Sequence, residues 1–302
     1  ALVDGTILAV KETREDTARD EYLLLDRLRA RDLPCVEPAA VVTGRATPDG
    51  APLPACLVTR QLRFSLPYRT LFSAALTSRT LLPAIDALAV LLVRLHLAGL
   101  YWGDVSLSNV LFRRDAGAFA AYLVDAETGA LRDRLSKGQR IQDLEIARLN
   151  VAGEILDLAA GQRLGTKVDP ALASQAIVDR YTELWDAVTA PESFGPTEMW
   201  RVQARIARLN DLGFDVDDVE IKATDDDATV VIRPTVVAAG HHTRRLQQLT
   251  GLSVEDNQAR RLLNDLDQFV AYTREPEETE QHAALRWVRD SYLPVLSAVP
   301  PE

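Results

Sequence analysis

The spacing of apolar residues divides the first part of the chain into strands and helices. Apolar residues run together in TILAVK, residues 6–11, which predicts a strand, and the preceding Asp4-Gly5 pair is a hairpin turn signal. In the next segment apolar positions recur at helical spacing until Pro34, which predicts a helix. The further predicted elements are strands over residues 35–45 and 55–62 and a long apolar helix over residues 80–98 that ends at Gly99.

A hairpin and a second group of elements are predicted farther along the chain. Residues 109–114 and 119–125 are apolar runs on either side of a turn, and helical spacing resumes over residues 143–159. Two prolines and a glycine mark residues 189–198 as a linker. Beyond it the pattern predicts a helix over residues 201–214, a hairpin around residues 225–227, and mainly helices after residue 240.

These elements predict an α+β protein with two units. The first unit would cover residues 1–188, with a strand-rich part over residues 1–62 and a mainly helical part over residues 63–188. The second unit, residues 199–302, would be smaller and mainly helical. Such a division gives each unit its own hydrophobic core.

Composition excludes several classes of protein. The net charge of -10 argues against a nucleic-acid-binding surface, which is normally basic. No uncharged apolar run reaches about 18 residues, so no transmembrane segment is expected. The start lacks the features of a signal peptide, and Cys35 and Cys56 fit neither a metal motif nor a disulfide scaffold. A cytoplasmic protein is therefore expected, and its oligomeric state stays open.

The stretch LYWGDVSLSNVLF, residues 100–112, places two polar side chains between apolar ends. The carboxylate of Asp104 can accept a proton from a hydroxyl, and the amide oxygen of Asn109 suits a hard cation such as Mg²⁺. Asp125 ends the apolar strand AAYLVD and offers another oxygen ligand. Phosphoryl transfer needs this set of groups. Each residue alone is equally explained as a helix cap or a turn former, so the joint spacing carries the argument.

The order of helix, Asp104, Asn109, apolar hairpin and Asp125 resembles the protein-kinase-like fold. Its catalytic loop, H-R-D-L-x-x-x-N, corresponds here to WGDVSLSN, and its D-F-G motif to DAETG. The small-molecule branch, with aminoglycoside phosphotransferases and lipopolysaccharide kinases, often reads L-H-x-x-G-x-x-H-G-D, and residues 95–104 read LHLAGLYWGD. The whole chain resembles a bacterial lipopolysaccharide-kinase-like family of unassigned function, and the second unit resembles only that narrow family.

The resemblance implies ATP and Mg²⁺ as cofactors and assigns roles to residues. Asp104 would be the catalytic base, and Asn109 and Asp125 would be metal ligands. Lys11, in LAVK, matches the phosphate-binding lysine of V-A-I-K, although a solvated lysine at a strand end is the plain alternative. The ion-pair partner of Lys11 would be Glu21 on the next helix, with Glu15 as the alternative. Adenine would contact backbone groups of the strand ACLVTRQL, around Leu57, Thr59 and Gln61.

Four residues depart from the family pattern. Trp102 replaces the loop histidine, so packing is expected to change more than chemistry, and Gly103 replaces the arginine that reads a phosphorylated activation loop. Ala126 replaces the phenylalanine of D-F-G, and Glu127 beside it would either assist a second metal or be an exposed loop glutamate. The glycine-rich loop should precede TILAVK by one hairpin, so the strand-rich part is expected to be truncated at its start.

These features predict an ATP- and Mg²⁺-dependent phosphotransferase acting on a hydroxyl of a small molecule or glycan. A peptide acceptor is not expected, because only a short segment, with no A-P-E motif in it, separates Asp125 from the helix predicted to start near Asp143. Arg244 and Arg245 would hold an anionic acceptor group, although the start of a helix explains the same polar cluster, and the neighbouring His241-His242 pair lacks metal-ligand spacing. The alternative is a pseudokinase, a nucleotide-binding regulatory or scaffold protein without transfer activity.

Overall fold

The structure is a computed structural model that describes most of the chain. The described residues are 6–294, apart from residues 32, 72–77, 116–117, 162–168, 191, 195–197, 199, 202–203, 206–214, 224–229, 238–240, 255 and 274–277. The turns predicted at Asp4-Gly5 and at residues 225–227, and most of the helix predicted over residues 201–214, lie outside them. Among the described helices, none combines the length and apolar character needed to cross a membrane.

A three-stranded antiparallel sheet and one helix form the strand-rich part. The sheet has the order β1-β3-β2, and β3 pairs with both neighbours. Helix α1 buries an apolar stripe that includes Leu25 and Leu28, and Glu21 is buried beside it. These elements confirm the three strands and the helix that the spacing of apolar residues predicts. Their bounds are β1 Leu8–Thr13, α1 Glu15–Arg29, β2 Glu37–Val42 and β3 Ala55–Arg60.

The next part combines two small sheets with long helices. One sheet has the order β4-β6-β7, and β5 pairs with β8. The apolar helix α3 packs against α5 and β7, and α4 packs against α5, which forms one core with the first part. The bounds are β4 Ser65–Pro67, α2 Tyr68–Leu71, α3 Ser78–Leu97, β5 Leu100–Tyr101, β6 Val110–Asp115, β7 Ala118–Leu123, β8 Ala130–Leu131, α4 Lys137–Ala160 and α5 Pro170–Thr189.

Helix α4 begins at Lys137, ahead of the start near Asp143 that its apolar spacing predicts. A capping box explains the earlier start: the Ser136 hydroxyl accepts from the Gln139 N–H at 3.2 Å, and the Gln139 side chain accepts from the Ser136 N–H at 2.9 Å. The first turn is polar, so hydrophobic spacing does not reveal it. Helix α4 thereby extends close to the loop that follows α3.

The chain reverses sharply after α3 at Gly99. Its φ is +86°, and a Cβ built there would lie 2.0 Å from the Arg132 carbonyl oxygen. Only glycine fits this position, because any side chain would collide with the backbone of the segment after β8. The reversal delivers the chain directly into β5 and the catalytic-loop sequence.

The remaining elements form a sheet and a helical cluster. The sheet has the order β10-β11-β9, and β9 lies within the segment predicted as a linker. A small core joins the helices through Leu246, Leu263, Leu266 and Trp287. The bounds are β9 Glu192–Phe194, β10 Asp215–Ala223, β11 Val230–Val237, α6 His241–Thr250, α7 Asp256–Thr273 and α8 Glu280–Trp287, with a π-helical turn at Val288–Tyr292.

Candidate active site

Lys11 reaches from β1 into a group of carboxylates. Its Nζ lies 3.0 Å from Glu21 Oε2 on α1, 2.7 Å from Asp125 Oδ2 and 2.7 Å from Glu127 Oε2. Glu15, the alternative partner, instead forms an ion pair with Arg19 on the outer face of α1. The structure therefore joins β1, α1 and the segment after β7 through a single ammonium group.

Burial makes Glu21 electrostatically unusual. Its side chain is 0% exposed, and this burial raises the pKa of the Glu21 carboxyl, as does the negative charge of Asp125. The Ala126 N–H donates to Glu21 Oε1 at 3.1 Å, which with Lys11 opposes the increase. Partial burial alone would lower the pKa of Lys11, but hydrogen bonds to the three carboxylates raise it overall. Lys11 therefore stays charged at neutral pH.

The carboxylates around Lys11 have the chemistry of a hard-cation site. Glu21, Asp125 and Glu127 each contribute one carboxylate oxygen, and these three oxygens lie within 4.8 Å of one another. Oxygen ligands of this kind suit Mg²⁺. Glu21 is buried and already bonded to Lys11 and Ala126, whereas Asp125 and Glu127 are partly exposed. Asp125 and Glu127 are thus the better placed of the three to face a cation.

Asp104 is held by two amide side chains and remains exposed. Its Oδ2 accepts from Asn109 Nδ2 at 2.9 Å, and its Oδ1 accepts from Asn150 Nδ2 at 3.1 Å. Asn109 Nδ2 also donates to the Asp104 carbonyl at 3.0 Å, which leaves the Asn109 side-chain oxygen as the atom that can face a cation. The Val124 N–H donates to the Asn109 carbonyl at 3.0 Å, so Asn109 lies beside the segment after β7 that carries Asp125.

One face of α4 supports the whole loop from Trp102 to Ser108. Asp143 accepts from the N–H groups of Trp102 at 2.7 Å and Gly103 at 2.8 Å. Asn150 donates to the Val105 carbonyl at 3.1 Å, and Glu154 accepts from the N–H groups of Leu107 and Ser108, both at 2.8 Å. Sequence reasoning missed these three α4 residues. The available signal was their position on the stripe that buries Ala147 and Val151.

The structure explains two departures from the family pattern. Trp102 is 0% exposed, and its indole N–H donates to the Asp125 carbonyl at 2.9 Å, which connects the loop to the segment after β7. Gly103 has a φ of +80°, and a Cβ there would lie 3.2 Å from the Thr128 carbonyl oxygen. An arginine at Gly103 would therefore be strained as well as crowded.

The residues assigned to adenine lie in or next to the central strand of the first sheet. Leu57 and Thr59 pair with β1 on one side and β2 on the other. The Gln61 N–H donates to the Ile7 carbonyl at 2.9 Å. Their backbone groups thus take part in the sheet, and the adenine contact stays a prediction.

The polar cluster near residue 241 lies at the start of a helix. Helix α6 begins at His241, and Arg245 lies 3.8 Å from Asp267 of α7. Its charge is thereby partly balanced by α7. Binding of an anionic acceptor by Arg244 and Arg245 stays a prediction.

A buried histidine behind the loop should make stability depend on pH. Burial lowers the pKa of His96, although its hydrogen bond to Asp143 opposes this. Unfolded histidine titrates near pH ~6.5, so below that pH the unfolded chain binds a proton that the folded chain resists. This stabilisation is present above pH ~6.5 and is lost as the pH falls towards the lower folded pKa. Replacing His96 with glutamine should flatten that part of the curve of unfolding free energy against pH.

Urea unfolding at a series of pH values would measure this slope. The exposed His282 supplies the matched control, because a His282→Gln variant removes an imidazole that lies outside the buried network. The absolute stability of the His96→Gln variant will also fall, so only the slope is diagnostic. An unchanged slope in the His96→Gln variant would contradict the assignment.

The arrangement of these residues is the one expected of a kinase-like site. It combines a lysine paired with a buried glutamate, a hydrogen-bonded loop that carries an aspartate, and a second aspartate just after a strand. Residues 8–155 match the family model described as "Lipopolysaccharide kinase (Kdo/WaaP) family". This part of the chain is therefore lipopolysaccharide-kinase-like, and the resemblance seen in its motifs is confirmed. Residues 183–302 match a second model, described as "Domain of unknown function (DUF4032)".

Solved structures also match the chain. Of 111 matching chains, one is described as "WaaP in complex with acyl carrier protein". It is 17% identical, with a TM-score of 0.43, and the match covers 70% of this chain and 83% of that chain. No curated protein matches the sequence.

Proposed function

We propose that this protein is an ATP- and Mg²⁺-dependent phosphotransferase that acts on a hydroxyl of a small molecule or glycan. The observation that carries the proposal is the meeting of Glu21 and Asp125 at Lys11, since Asp125 is 114 positions from Lys11 in sequence. A lysine, a helix glutamate and a strand-end aspartate meet in the same way around the phosphates in kinase-like enzymes. The family match over residues 8–155 supports the same chemistry.

The residues of the chain divide into phosphate-binding and acceptor-binding groups. The Lys11 ammonium would contact phosphate oxygens of ATP, and the buried Glu21 keeps it in place. The exposed carboxylate of Asp104 would accept the proton of the acceptor hydroxyl as its oxygen attacks the γ-phosphorus and ADP leaves. Asn109 and Asn150 orient both carboxylate oxygens of Asp104, so little reorganisation is needed.

Asp125, Glu127 and the side-chain oxygen of Asn109 would hold Mg²⁺. When bound there, Mg²⁺ would neutralise negative charge on the phosphates of ATP. Asp125 and Glu127 contact Lys11 as well, at 2.7 Å each, so the same carboxylates would order both positive groups. The N–H of Glu127 donates to Asp125 Oδ1 at 3.0 Å, which fixes the direction of the Asp125 carboxylate.

The acceptor is proposed to be small because the segment after Asp125 is short and already packed. β8 pairs with β5 within this segment, and α4 starts at Lys137. Little chain is left to hold an extended peptide. The match to a lipopolysaccharide kinase family favours a glycan hydroxyl.

Radiolabelled phosphate from γ-labelled ATP should appear in the metabolite or glycolipid fraction of a size-fractionated lysate. The reaction would contain Mg²⁺, and the Asp104→Asn variant would serve as the control for other kinases in the lysate. Label that depends on Asp104 and is confined to specific polypeptides would contradict a small acceptor. Absence of any Asp104-dependent label would count against transfer activity itself.

A further inference from the structure

A buried polar network connects the catalytic loop to α5. His96 Nδ1 lies 2.7 Å from the Tyr181 hydroxyl, and His96 Nε2 lies 3.1 Å from Asp143 Oδ2. His96 is 2% exposed, Tyr181 3% and Asp143 0%. Asp143 in turn accepts the N–H groups of Trp102 and Gly103, which directly precede Asp104. The Tyr181 hydroxyl is thus connected through His96 and Asp143 to the backbone that directly precedes the proposed base, Asp104.

Chemistry determines the direction of each hydrogen bond in this network. A carboxylate can only accept, so the ring proton of neutral His96 lies on Nε2 and points to Asp143. His96 Nδ1 is then an acceptor and receives the Tyr181 hydroxyl proton. Arg140 of α4 lies near this network, with its guanidinium 4.0 Å from the centre of the Trp185 ring that stacks on Tyr181. In this arrangement each hydrogen-bond donor of the network faces an acceptor.

Arg205 holds the C-terminal end of α5, the helix that carries Tyr181. Arg205 donates to the Ala187 carbonyl at 2.7 Å and to the Ala190 carbonyl at 2.7 Å, at the C-terminal end of α5. A positive side chain at this end satisfies carbonyls without helical partners and complements the helix dipole. Tyr181 lies less than two turns before Ala187, and the Tyr181 and Trp185 rings stack with their centres 5.7 Å apart. Arg205 and the end of α5 that it contacts both belong to the region that matches the domain of unknown function.

We propose that Tyr181 is a positioning residue for the catalytic loop, and that Arg205 sets the place of Tyr181 by holding the end of α5. The role in catalysis rests on the proposed function, whereas the effect on the loop does not. Without the Tyr181 hydroxyl, a buried ring nitrogen of His96 loses its donor, and such groups are costly to leave unpaired. The His96 ring and the Asp143 carboxylate are then no longer held in a single orientation. The hydrogen bonds from the Trp102 and Gly103 amides to Asp143 become weaker, so the backbone before Asp104 becomes more mobile.

Hydrogen exchange in a Tyr181→Phe variant tests the proposal without any need for activity. Exchange should rise in the segment that holds the Trp102 and Gly103 amides. It should stay unchanged at Leu107 and Ser108, which Glu154 holds independently. The matched control is Tyr272→Phe, because Tyr272 is 89% exposed and its hydroxyl faces solvent. A uniform rise across α3, α4 and α5, or no rise at the Trp102 segment, would overturn the proposal.

Kinetics and a second variant separate positioning from mere stability. In the Tyr181→Phe variant kcat should fall by roughly 10-fold, with KM for ATP unchanged, since small misplacements of catalytic groups cost up to ~10²-fold.

A second variant, Arg205→Gln, tests the link through α5 by hydrogen exchange. It should raise exchange at the Trp102 segment in the parent chain but add nothing in the Tyr181→Phe background. Additive effects of the two changes would refute the link through α5. If the parent chain shows no transfer, the proposed function fails, and exchange alone decides the role of Tyr181.

Discussion

Phosphoryl transfer is expected to fall by ~10²–10⁴-fold when Asp104 is replaced with asparagine, because the variant keeps the shape of the side chain but loses the base. Binding of ATP should be nearly unchanged, since Lys11, Glu21 and Asp125 are retained. The measurement pairs steady-state transfer with direct titration of ATP. This combination distinguishes loss of chemistry from loss of the nucleotide site.

The contacts of Asp104 determine how this variant should be interpreted. Both carboxylate oxygens accept from amides, of Asn109 and Asn150, so the new amide group must place its own N–H₂ against one of them. A local shift of the loop will therefore add to the loss of the base. Asp133→Asn is the matched control, because Asp133 is an exposed carboxylate in the loop before α4. Equal transfer in parent and Asp104→Asn chains would exclude Asp104 as the base and favour a nucleotide-binding scaffold.

The Mg²⁺-dependent part of stabilisation by ATP is expected to disappear in an Asp125→Ala variant. A ligand that binds only the folded state raises the free energy of unfolding by about 2.7 kcal/mol at 100 times its Kd. The parent chain should therefore unfold at a higher temperature with ATP and Mg²⁺ than with ATP alone. In the variant the two thermal midpoints should coincide, because the carboxylate that would face the cation is gone.

The fold should tolerate this change. Lys11 keeps ion pairs with Glu21 and Glu127, so the buried Glu21 remains compensated. Glu127→Gln is the informative comparison, since it removes a neighbouring charge but leaves Asp125 bonded to Lys11. It should retain part of the Mg²⁺ effect. The same Mg²⁺-dependent shift in parent and Asp125→Ala chains would show that Asp125 does not hold the metal.

Local pattern was sufficient wherever one segment decides its own structure. The helix before Pro34 and the apolar helix that ends at Gly99 were predictable, because burial of a helical stripe needs only the spacing of apolar residues. The order of Asp104, Asn109 and Asp125 around an apolar hairpin was also readable, since the chemistry dictates both residue type and spacing. Strand β9 was not, because a three-residue strand exists only through its pairing with β11.

The strands of the first sheet, helices α1 and α3, most of α4 and the likeness to kinase-like proteins were predictable from the sequence, because these depend on periodicity and on one short motif. The approach of Asp125 and Glu127 to Lys11, and the α4 residues that hold the loop, became visible only in the folded chain. Asp143, Asn150 and Glu154 look in sequence like polar positions of a solvated helix face. These side chains face inward because the backbone amides of the loop lose their contact with water on folding and need other hydrogen-bond partners. The element that packs against the loop, here α4, supplies those partners.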